Sequence, residues 1–428
     1  MDPLTGTCGE EDPQQLSSSF EEQKQTIWSN LPELLVMSSC AMPHRQYRFL
    51  NMHTVEFAVP TDAADDLSRV EYLGGGSFGN VIKIPEYVCQ DGRKACVAIK
   101  KLYEPFRDEK NAQRVFRQVL STEVRLLQMM VHENIVKLLD LYTPDTSASS
   151  LRNVYIVSEY AGNSLGEILR RQREMGGNVC LLTAGHHKFI IYQLLRALKY
   201  IHSASVIHRD LKPGNLALTA DCDLSVLDFG QARTLNTDDT ALSAYVMTRW
   251  YRSPEVIYWK IDSYDTQGMF ISLIKSDMWS VGCILAELSL GRPLFPGEDS
   301  MAQYRLITEL CGSPDKDLMA KLARNEAVLN VLTHLGVYQR KRFVDFFPKS
   351  FPPDLIDFLD RILVLDPEKR MTVQEALAHP YLAEYSVPED EPVAPGPFVI
   401  KECSHPHRTL NEWKELIWRE IVRFRRVQ

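Results

Sequence analysis

The sequence lacks the long apolar segments of membrane proteins, and its first residues do not resemble the leader of secreted ones. No apolar run approaches the roughly 20 residues that a helix needs to cross a bilayer. The N-terminal stretch MDPLTGTCGEEDPQQLSSS contains neither a basic region nor an apolar core, so we expect no secretory signal. We therefore expect a cytoplasmic and nuclear location and no membrane partner.

Paired cysteines are also missing from the chain. The nine cysteines are an odd number, and none of them forms a Cys-x-x-Cys pair. A disulfide framework or a cysteine-based zinc site is therefore not expected, and a reducing compartment fits this composition.

The chain has no excess of positive charge. Its net charge is −8 and its pI is near 5.8, so we expect no nucleic acid among its partners. Hydrophobic residues make up 45% and charged residues 24%, which is ordinary for a globular protein. A length of 428 residues suits two packed lobes with extensions better than one small core.

Periodicity divides the chain into a β-rich part and a larger helical part, which predicts an α+β fold. Residues 1–65 are predicted to be an N-terminal extension that is partly disordered. Strand patterns begin near residue 70 and predict a small β-rich lobe over residues 66–161. Residues 162–382 are mainly helical. Residues 383–428 form a C-terminal extension whose apolar spacing predicts a helix packed on the core.

A glycine-rich turn lies between the first two predicted strands of the small lobe. Gly74, Gly76 and Gly79 fit G-x-G-x-x-G, a pattern that is weak alone and also occurs in dinucleotide-binding folds. Its position between strands favours a flap whose N–H groups cover phosphates, and a hairpin without a ligand is the alternative. The residues of the predicted flap are Leu73, Gly74, Gly75, Gly76, Ser77, Phe78, Gly79, Asn80 and Val81.

A lysine and a glutamate follow at a spacing that suits phosphate binding. Lys100 follows Val-Ala-Ile on a predicted strand, and Glu123 lies on the next predicted helix. A strand lysine that points to solvent is the usual alternative. Paired with Glu123, the Lys100 ammonium would be held against the α- and β-phosphates of a nucleotide.

Two short motifs in the helical part carry groups that suit phosphoryl transfer. Residues 208–215 read HRDLKPGN, and Asp-Phe-Gly follows at 228–230. Asp210 is the candidate base for a hydroxyl, and Lys212 can neutralise charge on a transferred phosphoryl group. Each residue alone is explained as a turn residue, but that alternative does not explain their order and spacing. Hard oxygen ligands for Mg²⁺ are offered by Asn215 and Asp228.

Over residues 66–382, these motifs resemble those of the eukaryotic protein kinases. Residues 253–255, Ser-Pro-Glu, match that family's Ala-Pro-Glu, and Arg370 is the expected ion-pair partner of Glu255. The resemblance implies a bilobal fold with a small β-rich N-lobe and a large helical C-lobe. It also implies ATP as the phosphoryl donor and Mg²⁺ as the cofactor.

The same resemblance implies the walls of an adenine pocket. Glu159 and Ala161 are expected to offer backbone contacts to the adenine. Ser158 lies at the rear of the pocket, and its small side chain predicts access to an apolar space behind it. The residues expected to enclose the ring by apolar contact are Val81, Ala98 and Ala217.

Residues 246–255, VMTRWYRSPE, resemble the mitogen-activated protein kinases, in which this segment selects proline after the phosphorylated residue. Proline suits a pocket without an acceptor because it has no N–H to leave unpaired. Lys212 resembles serine/threonine kinases rather than tyrosine kinases. Four further segments resemble the stress-activated, osmosensing (Hog-type) branch, namely 100–106, 132–140, 200–204 and 390–394.

Two stretches look like insertions relative to that branch. Thr26-Ile27-Trp28 resembles the branch's N-terminal segment, which makes residues 36–65 an apparent insertion. Residues 257–275 exceed the family's loop and are predicted to lie on the surface.

The activation segment reads Ser243-Ala244-Tyr245 where the branch usually has Thr-Gly-Tyr. By resemblance, Ser243 and Tyr245 are expected to be phosphorylated by an upstream dual-specificity MAP kinase kinase. Ala244 adopts positive φ less easily than glycine, so we expect an altered fit to that activator. The alternative is that Ser243 is only a loop residue. The arginines expected to receive the phosphates are Arg209, Arg249 and Arg252.

An acidic run after the large lobe resembles the family's docking groove for basic peptides. We expect activators, substrates and phosphatases to bind there, and an ordinary solvated surface is the alternative. The predicted docking residues are Asp221, Glu389, Asp390 and Glu391. The residues expected on the exposed face of the C-terminal helix are Arg419, Arg423, Arg425 and Arg426.

The sequence therefore predicts a monomeric, proline-directed serine/threonine kinase of a stress-activated cascade, acting on proteins at Ser/Thr-Pro sites. A pseudokinase scaffold with little catalysis is the alternative, favoured only by the unusual activation segment and the insertions. A small-molecule kinase does not fit the proline-selecting segment.

Overall fold

The computed structural model describes residues 45–64, 66–76, 79–89, 91–176, 181–234, 249–257, 266–322, 332, 336–400 and 408–427. Strands dominate the first part of this range and helices the second, which confirms the predicted α+β class. Within the described residues, no helix is both long and apolar enough to cross a membrane.

The small lobe is built on an antiparallel sheet with strand order β3-β4-β5-β7-β6. Along β4 and β5, Ile82, Ile84, Val97 and Ile99 are buried at every second position, as expected of a sheet with one face on a core. The strands are β3 (Glu71–Gly76), β4 (Gly79–Val88), β5 (Lys94–Leu102), β6 (Leu138–Tyr142) and β7 (Tyr155–Glu159).

A hairpin of two further strands belongs to this lobe. Strands β1 (Tyr47–Met52) and β2 (Val55–Pro60) pair through a two-residue turn at His53 and Thr54, whose φ values are 46° and 69°. The hydroxyl of Tyr142 donates to the Ala58 carbonyl at 2.8 Å. These contacts attach the hairpin to the five-stranded sheet.

The hairpin lies within the stretch predicted to be an N-terminal extension, and residues of 45–64 pack into the small-lobe core. Phe57, Ala58 and Val59 are all buried, so β2 lacks the alternation that identifies a half-buried strand. The segment Thr26-Ile27-Trp28 lies outside the described residues.

Helix α1 lies beside the sheet and passes through three consecutive segments, Glu109–Arg114, Val115–Val124 and Arg125–Met129. Asp108 caps it by accepting a hydrogen bond from the Asn111 N–H at 2.8 Å. The middle segment is a π-helix, in which the Thr122 hydroxyl donates to the carbonyl of Arg117, five residues earlier, at 2.8 Å. Such segments are rare and frequently occur at functional sites.

The large lobe is mainly helical and is centred on α3 and α5. Thr183 caps α3 with a reciprocal bond to His186. The helices are α2 (Leu165–Glu174), α3 (Ala184–Ser203), α4 (Pro254–Ile257), α5 (Thr266–Leu290), α6 (Ser300–Cys311), α7 (Lys316–Leu322), α8 (Phe343–Phe346), α9 (Pro353–Ile362) and α10 (Val373–Leu377). Its short strands are β8 (Asn163–Ser164), β9 (Val206–Ile207), β10 (Leu216–Leu218), β11 (Leu224–Val226) and β12 (Arg233–Thr234).

Part of the predicted surface insertion at 257–275 is helical and buried. Residues from Thr266 onward belong to α5, and Ser272, Leu273 and Lys275 are buried. This part of the stretch therefore belongs to a core helix rather than to an exposed loop. Residues 258–265 lie outside the described residues.

The predicted ion pair between Glu255 and Arg370 is present. Arg370 donates from Nη1 to Glu255 Oε1 at 2.6 Å and from Nη2 to Oε2 at 3.0 Å. Neither side chain is exposed to solvent. A two-point bond of this kind fixes the direction of both side chains, so it ties α4 to the segment before α10.

Helix α11 (Leu410–Val427) packs on the small lobe. Its Trp413 ring lies 5.5 Å from the Phe116 ring of α1, and Glu420 pairs with Arg125 at 2.9 Å. The expectation that Arg425 lies on the exposed face is wrong, because its side chain is only 9% exposed and faces a buried carboxylate.

That carboxylate belongs to Asp140 on β6 and connects both ends of the described chain. Its Oδ2 lies 3.0 Å from Arg45 Nη1 and 3.6 Å from Arg425 Nη2. Tyr87 also donates its hydroxyl to Oδ2 at 3.3 Å. A single buried acid thus holds the residue before β1 and the end of α11 on one sheet.

We predict that Asp140→Asn loosens both terminal segments. Loss of the charge takes from Arg425 the carboxylate that it faces and leaves Arg45 paired only with Asp62, a change that costs up to roughly 3 kcal/mol. Hydrogen exchange should become faster in residues 45–60 and 410–427. Asp221→Asn removes an exposed carboxylate and is the control, and unchanged exchange in both segments would contradict the prediction.

Candidate active site

The glycine-rich turn joins β3 to β4 as predicted from the sequence. A Cβ at Gly79 would lie 2.1 Å from the carbonyl oxygen of Lys101, so a larger residue would push β4 away from β5. The Tyr72 hydroxyl donates to Asn80 Oδ1 at 2.8 Å and braces the base of the turn. The predicted flap residues Ser77 and Phe78 lie outside the described residues.

The predicted adenine pocket draws on both lobes. In the sheet, Ala98 of β5 pairs with Ser158 of β7, and Val81 of β4 pairs with Lys100 of β5. The third small apolar residue, Ala217, lies on β10 of the large lobe. Apolar surfaces from two lobes therefore flank the segment that joins them.

The connection between the lobes is short and held by backbone bonds. The Glu159 N–H donates to the Lys137 carbonyl at 3.0 Å. At Gly162, φ is +99° and a Cβ would lie 1.9 Å from the Leu218 carbonyl oxygen, so only glycine fits there. The predicted contact residue Ala161 lies between these two fixed points.

Lys100 and Glu123 meet, as their spacing predicts. Lys100 Nζ lies 3.4 Å from each carboxylate oxygen of Glu123. Burial alone would lower the pKa of Lys100, but the carboxylates of Glu123 and Asp228 raise it above its ordinary value. The lysine is therefore held as a cation between these two carboxylates.

Asp228 completes this charged group from the large lobe. Burial would raise its pKa, but Lys100 and a hydrogen bond from the Gly230 N–H lower it, so the group stays ionised. Its backbone is left-handed, with φ of 60°, a conformation that is uncommon for a residue other than glycine. Strain of this kind is typical of positions where a side chain is directed at a ligand.

The catalytic loop brings its three predicted residues together. Lys212 Nζ donates to Asp210 Oδ2 at 2.7 Å, and Asn215 Nδ2 donates to the same oxygen at 3.0 Å. Asn215 also donates to the Asp210 carbonyl at 2.8 Å. These bonds fix the direction of the Asp210 carboxylate relative to the loop.

Asp277 of α5 holds this loop in place, a role that the sequence reasoning missed. Its carboxylate accepts hydrogen bonds from the backbone N–H groups of His208 and Arg209, both at 2.9 Å. His202 Nε2 lies 2.9 Å from the same side chain. The run DMWSVG at 277–282 was a signal for the helix, but burial and loop contacts are visible only in the fold.

The donor set suits Mg²⁺. Asn215 directs its amide nitrogen to Asp210, which leaves its amide oxygen available, and Asp228 supplies an ionised carboxylate. Mg²⁺ is commonly bound by one or two protein oxygen donors together with substrate phosphates. Among the described residues, no group of three or more His, Cys, Asp or Glu side chains is arranged so that it could hold a metal ion by itself.

The predicted phosphorylation residues Ser243 and Tyr245 lie outside the described residues. The arginines that are expected to bind their phosphates are described. Burial and the nearby Arg233 lower the pKa of Arg209 to about 10. Burial and Arg249 likewise lower the pKa of Arg252. Burial is the larger cause of both shifts and a neighbouring arginine adds to it, so an anion bound beside either guanidinium would stabilise its charged form.

The predicted docking residues lie around α3. Gln193 donates to the carbonyl of Cys222, beside the exposed Asp221, and Arg196 lies 3.3 Å from Asp390 Oδ2. Glu389 is also exposed. The predicted residue Glu391 differs, because it is buried and its Oε2 pairs with Lys199 at 2.9 Å. Its carboxylate therefore anchors the segment instead of facing a peptide.

Comparison with known proteins agrees with this geometry. The family model of the protein kinase domain matches residues 67–382. Mitogen-activated protein kinase pmk-3 of Caenorhabditis elegans is 52% identical over 396 residues, covering 92% of this chain and 80% of the relative. Mitogen-activated protein kinase 14 of Xenopus laevis is 41% identical, over 85% of this chain and 91% of the relative.

Mitogen-activated protein kinase p38b of Drosophila melanogaster is 38% identical, over 88% of this chain and 94% of the relative. The chain belongs to the p38-type mitogen-activated protein kinases. This MAP kinase is therefore a serine/threonine protein kinase with ATP as its substrate.

We predict that Glu123→Gln in this MAP kinase lowers kcat/KM for ATP on the order of 10²-fold, because Lys100 loses the charge that orients it toward the phosphates. Steady-state kinetics with varied ATP measure this. Glu109→Gln at the exposed start of the same helix is the control and should leave the constant unchanged. Equal values for Glu123→Gln and the parent protein would show that the pair is not needed.

Proposed function

We propose that this MAP kinase is a proline-directed kinase of a stress-activated cascade, switched on by phosphorylation of its activation segment. The observation that carries the proposal is the hydrogen-bonded set of Asp210, Lys212 and Asn215. A scaffold without catalysis has no need of this arrangement. No observation on the described residues favours the pseudokinase alternative.

The proposed mechanism rests mainly on positioning and electrostatics. Asp210 orients the substrate hydroxyl and receives its proton, while Lys212 neutralises charge that develops on the γ-phosphoryl group. Lys100 holds the α- and β-phosphates. Asn215 and Asp228 would hold Mg²⁺, which supplies neutralisation of the phosphate charge when bound.

A rigid peptide platform next to the catalytic loop supports selection of proline. The indole N–H of Trp250 donates to the Gly297 carbonyl at 3.2 Å, and Ser280 Oγ donates to the Tyr251 carbonyl at 2.8 Å. These bonds fix residues 249–252 on the large lobe. A fixed platform can favour proline by leaving the N–H of any other residue without an acceptor.

The arginine cluster supports activation by phosphorylation. A phosphate on Ser243 or Tyr245 would bring about −1.5 to −2 charge toward Arg209 and Arg252, whose pKa values are lowered by burial and by a neighbouring arginine. Pairing with that charge would order the activation segment. The expected activator is a dual-specificity MAP kinase kinase.

The exposed carboxylates around α3 support a docking role. We propose that Asp221, Glu389 and Asp390 receive basic peptides of activators, substrates and phosphatases. Glu391 is left out of this group because it is buried. A monomer that works in the cytoplasm and the nucleus completes the proposal.

We predict that the activated kinase phosphorylates a Ser-Pro peptide and not a matched Ser-Ala peptide. Asp210→Asn should lower turnover of the Ser-Pro peptide by on the order of 10²–10⁴, because the hydroxyl loses its proton acceptor. Incorporation of labelled phosphate after co-expression with an active stress-branch activator measures both. Equal turnover of the two peptides would refute the proline selectivity, and nucleotide binding without turnover would favour the scaffold.

We predict that Ser243→Ala prevents activation by the upstream kinase, since the arginine cluster then lacks one phosphate. Ser243→Thr keeps a hydroxyl and should still be activated, which makes it the matched control. Mass spectrometry of residues 243–245 together with the peptide assay measures both variants. Full activator-dependent activity in Ser243→Ala would contradict the proposal that phosphorylation of Ser243 is needed for activation.

A further inference from the structure

Ser313 is the most accessible serine or threonine that precedes a proline in this chain. Only Thr143, Ser253 and Ser313 are followed by proline anywhere in the sequence. Thr143 is 3% exposed and Ser253 is 0% exposed. Ser313 is partly exposed and lies in the loop between α6, which ends at Cys311, and α7.

We propose that Ser313 is phosphorylated by a second copy of this kinase, an inference that rests on the proposed proline-directed activity. The local chain suits this role. A residue before proline is biased toward an extended backbone, and loops between helices are the parts of a fold that reach a partner most readily. Thr143 and Ser253 share the Pro signal but lack this accessibility.

The Ser313 hydroxyl is held by few bonds, all of them to one segment. The Tyr338 N–H donates to Ser313 Oγ at 3.0 Å, and the hydroxyl reaches the Gly336 carbonyl at 3.5 Å. The Ser313 N–H donates to the Tyr338 carbonyl at 2.9 Å. Val337 between them is 93% exposed, so this segment can separate from the loop by a local opening.

A cavity beside Ser313 has room for a phosphate. Its volume is about 610 Å³, and its wall carries three cations and four carboxylates, namely Arg340, Arg361, Lys369, Asp315, Asp360, Asp366 and Glu375. Arg340 Nη2 now pairs with Asp360 at 2.8 Å, and Lys369 pairs with Asp315 at 2.7 Å. A phosphate on Ser313 would compete with these carboxylates for both cations, because its bonds to them are charge-assisted.

We assign the step to a second molecule. Cys311, two residues before Ser313, is buried in the large-lobe core, and no catalytic-loop residue lines the cavity beside the serine. The buried end of α6 thus anchors the serine on a part of the lobe that does not line its own catalytic loop. In the step, Ser313 Oγ bonds to the γ-phosphorus of ATP while the bond from that phosphorus to the bridging oxygen of ADP breaks. The hydroxyl proton passes to Asp210 of the phosphorylating copy.

The test mixes the activated kinase with full-length Asp210→Asn protein as substrate, with ATP and the Ser-Pro and Ser-Ala peptides in the same reaction. Mass spectrometry should find one added phosphate at Ser313 of the Asp210→Asn copy and none at Thr143 or Ser253. The added mass should be absent when the substrate copy also carries Ser313→Ala. It should also be absent with Pro314→Ala, which keeps the hydroxyl and removes only the proline.

The outcomes separate this inference from the proposed function. Selective turnover of the Ser-Pro peptide without phosphate at Ser313 would overturn the Ser313 site alone. Phosphate at Thr143 and Ser253 as well would also overturn it, because the substrate would then be reacting unfolded. Loss of turnover on both peptides and on Ser313 would overturn the two together. Thermal unfolding of Pro314→Ala and Ser313→Ala, compared with that of the Asp210→Asn copy, shows that each variant is folded.

Discussion

The buried carboxylate of Asp277 is the interaction on which the active site depends. An ionised acid inside a protein is strongly unfavourable unless donors surround it. Here, burial would raise the pKa of Asp277, but the bond to His202 and the nearby His208 lower it. Two backbone N–H groups of the catalytic loop supply the remaining bonds, so α5 fixes the position of the loop. That support also explains how Arg209 keeps a φ of 67°.

Buried charges also organise the part of the active site that the small lobe contributes. One ammonium, on Lys100, faces the two buried carboxylates of Glu123 and Asp228, one from each lobe. Burial raises the pKa of Glu123, whereas Lys100 lowers the pKa of Asp228 against the effect of burial. Asp228 is therefore the carboxylate of this group that stays ionised and suits a further cation. The π-helical segment of α1 carries Glu123 to this position with most of its other residues buried. The same segment of α1 therefore provides both buried packing contacts and the carboxylate that pairs with Lys100.

Catalytic residues that are close together in sequence were predictable, whereas contacts between distant residues were not. The positions of Asp210, Lys212 and Asn215 are close in sequence, so their meeting follows from one loop. The pair of Glu255 and Arg370 was expected from family resemblance rather than from physics. The hairpin at 47–60 was missed because Phe57, Ala58 and Val59 of β2 are all buried, and such a continuous buried run removes the alternation on which strand prediction depends. The exposure of Arg425 was predicted wrongly because a helical pattern does not show that Asp140 of β6 lies opposite this side chain.

The sequence by itself determined the fold class, the kinase motifs and the order in which the catalytic groups occur, because these depend on local propensity and short spacings. The tertiary structure alone decided which charges are buried. It assigned Asp140 to both ends of the described chain, removed Glu391 from the docking surface and left Ser313 as the accessible Ser-Pro site. The physical reason is that burial depends on residues far apart in sequence, and burial sets whether a polar group is an anchor or a contact.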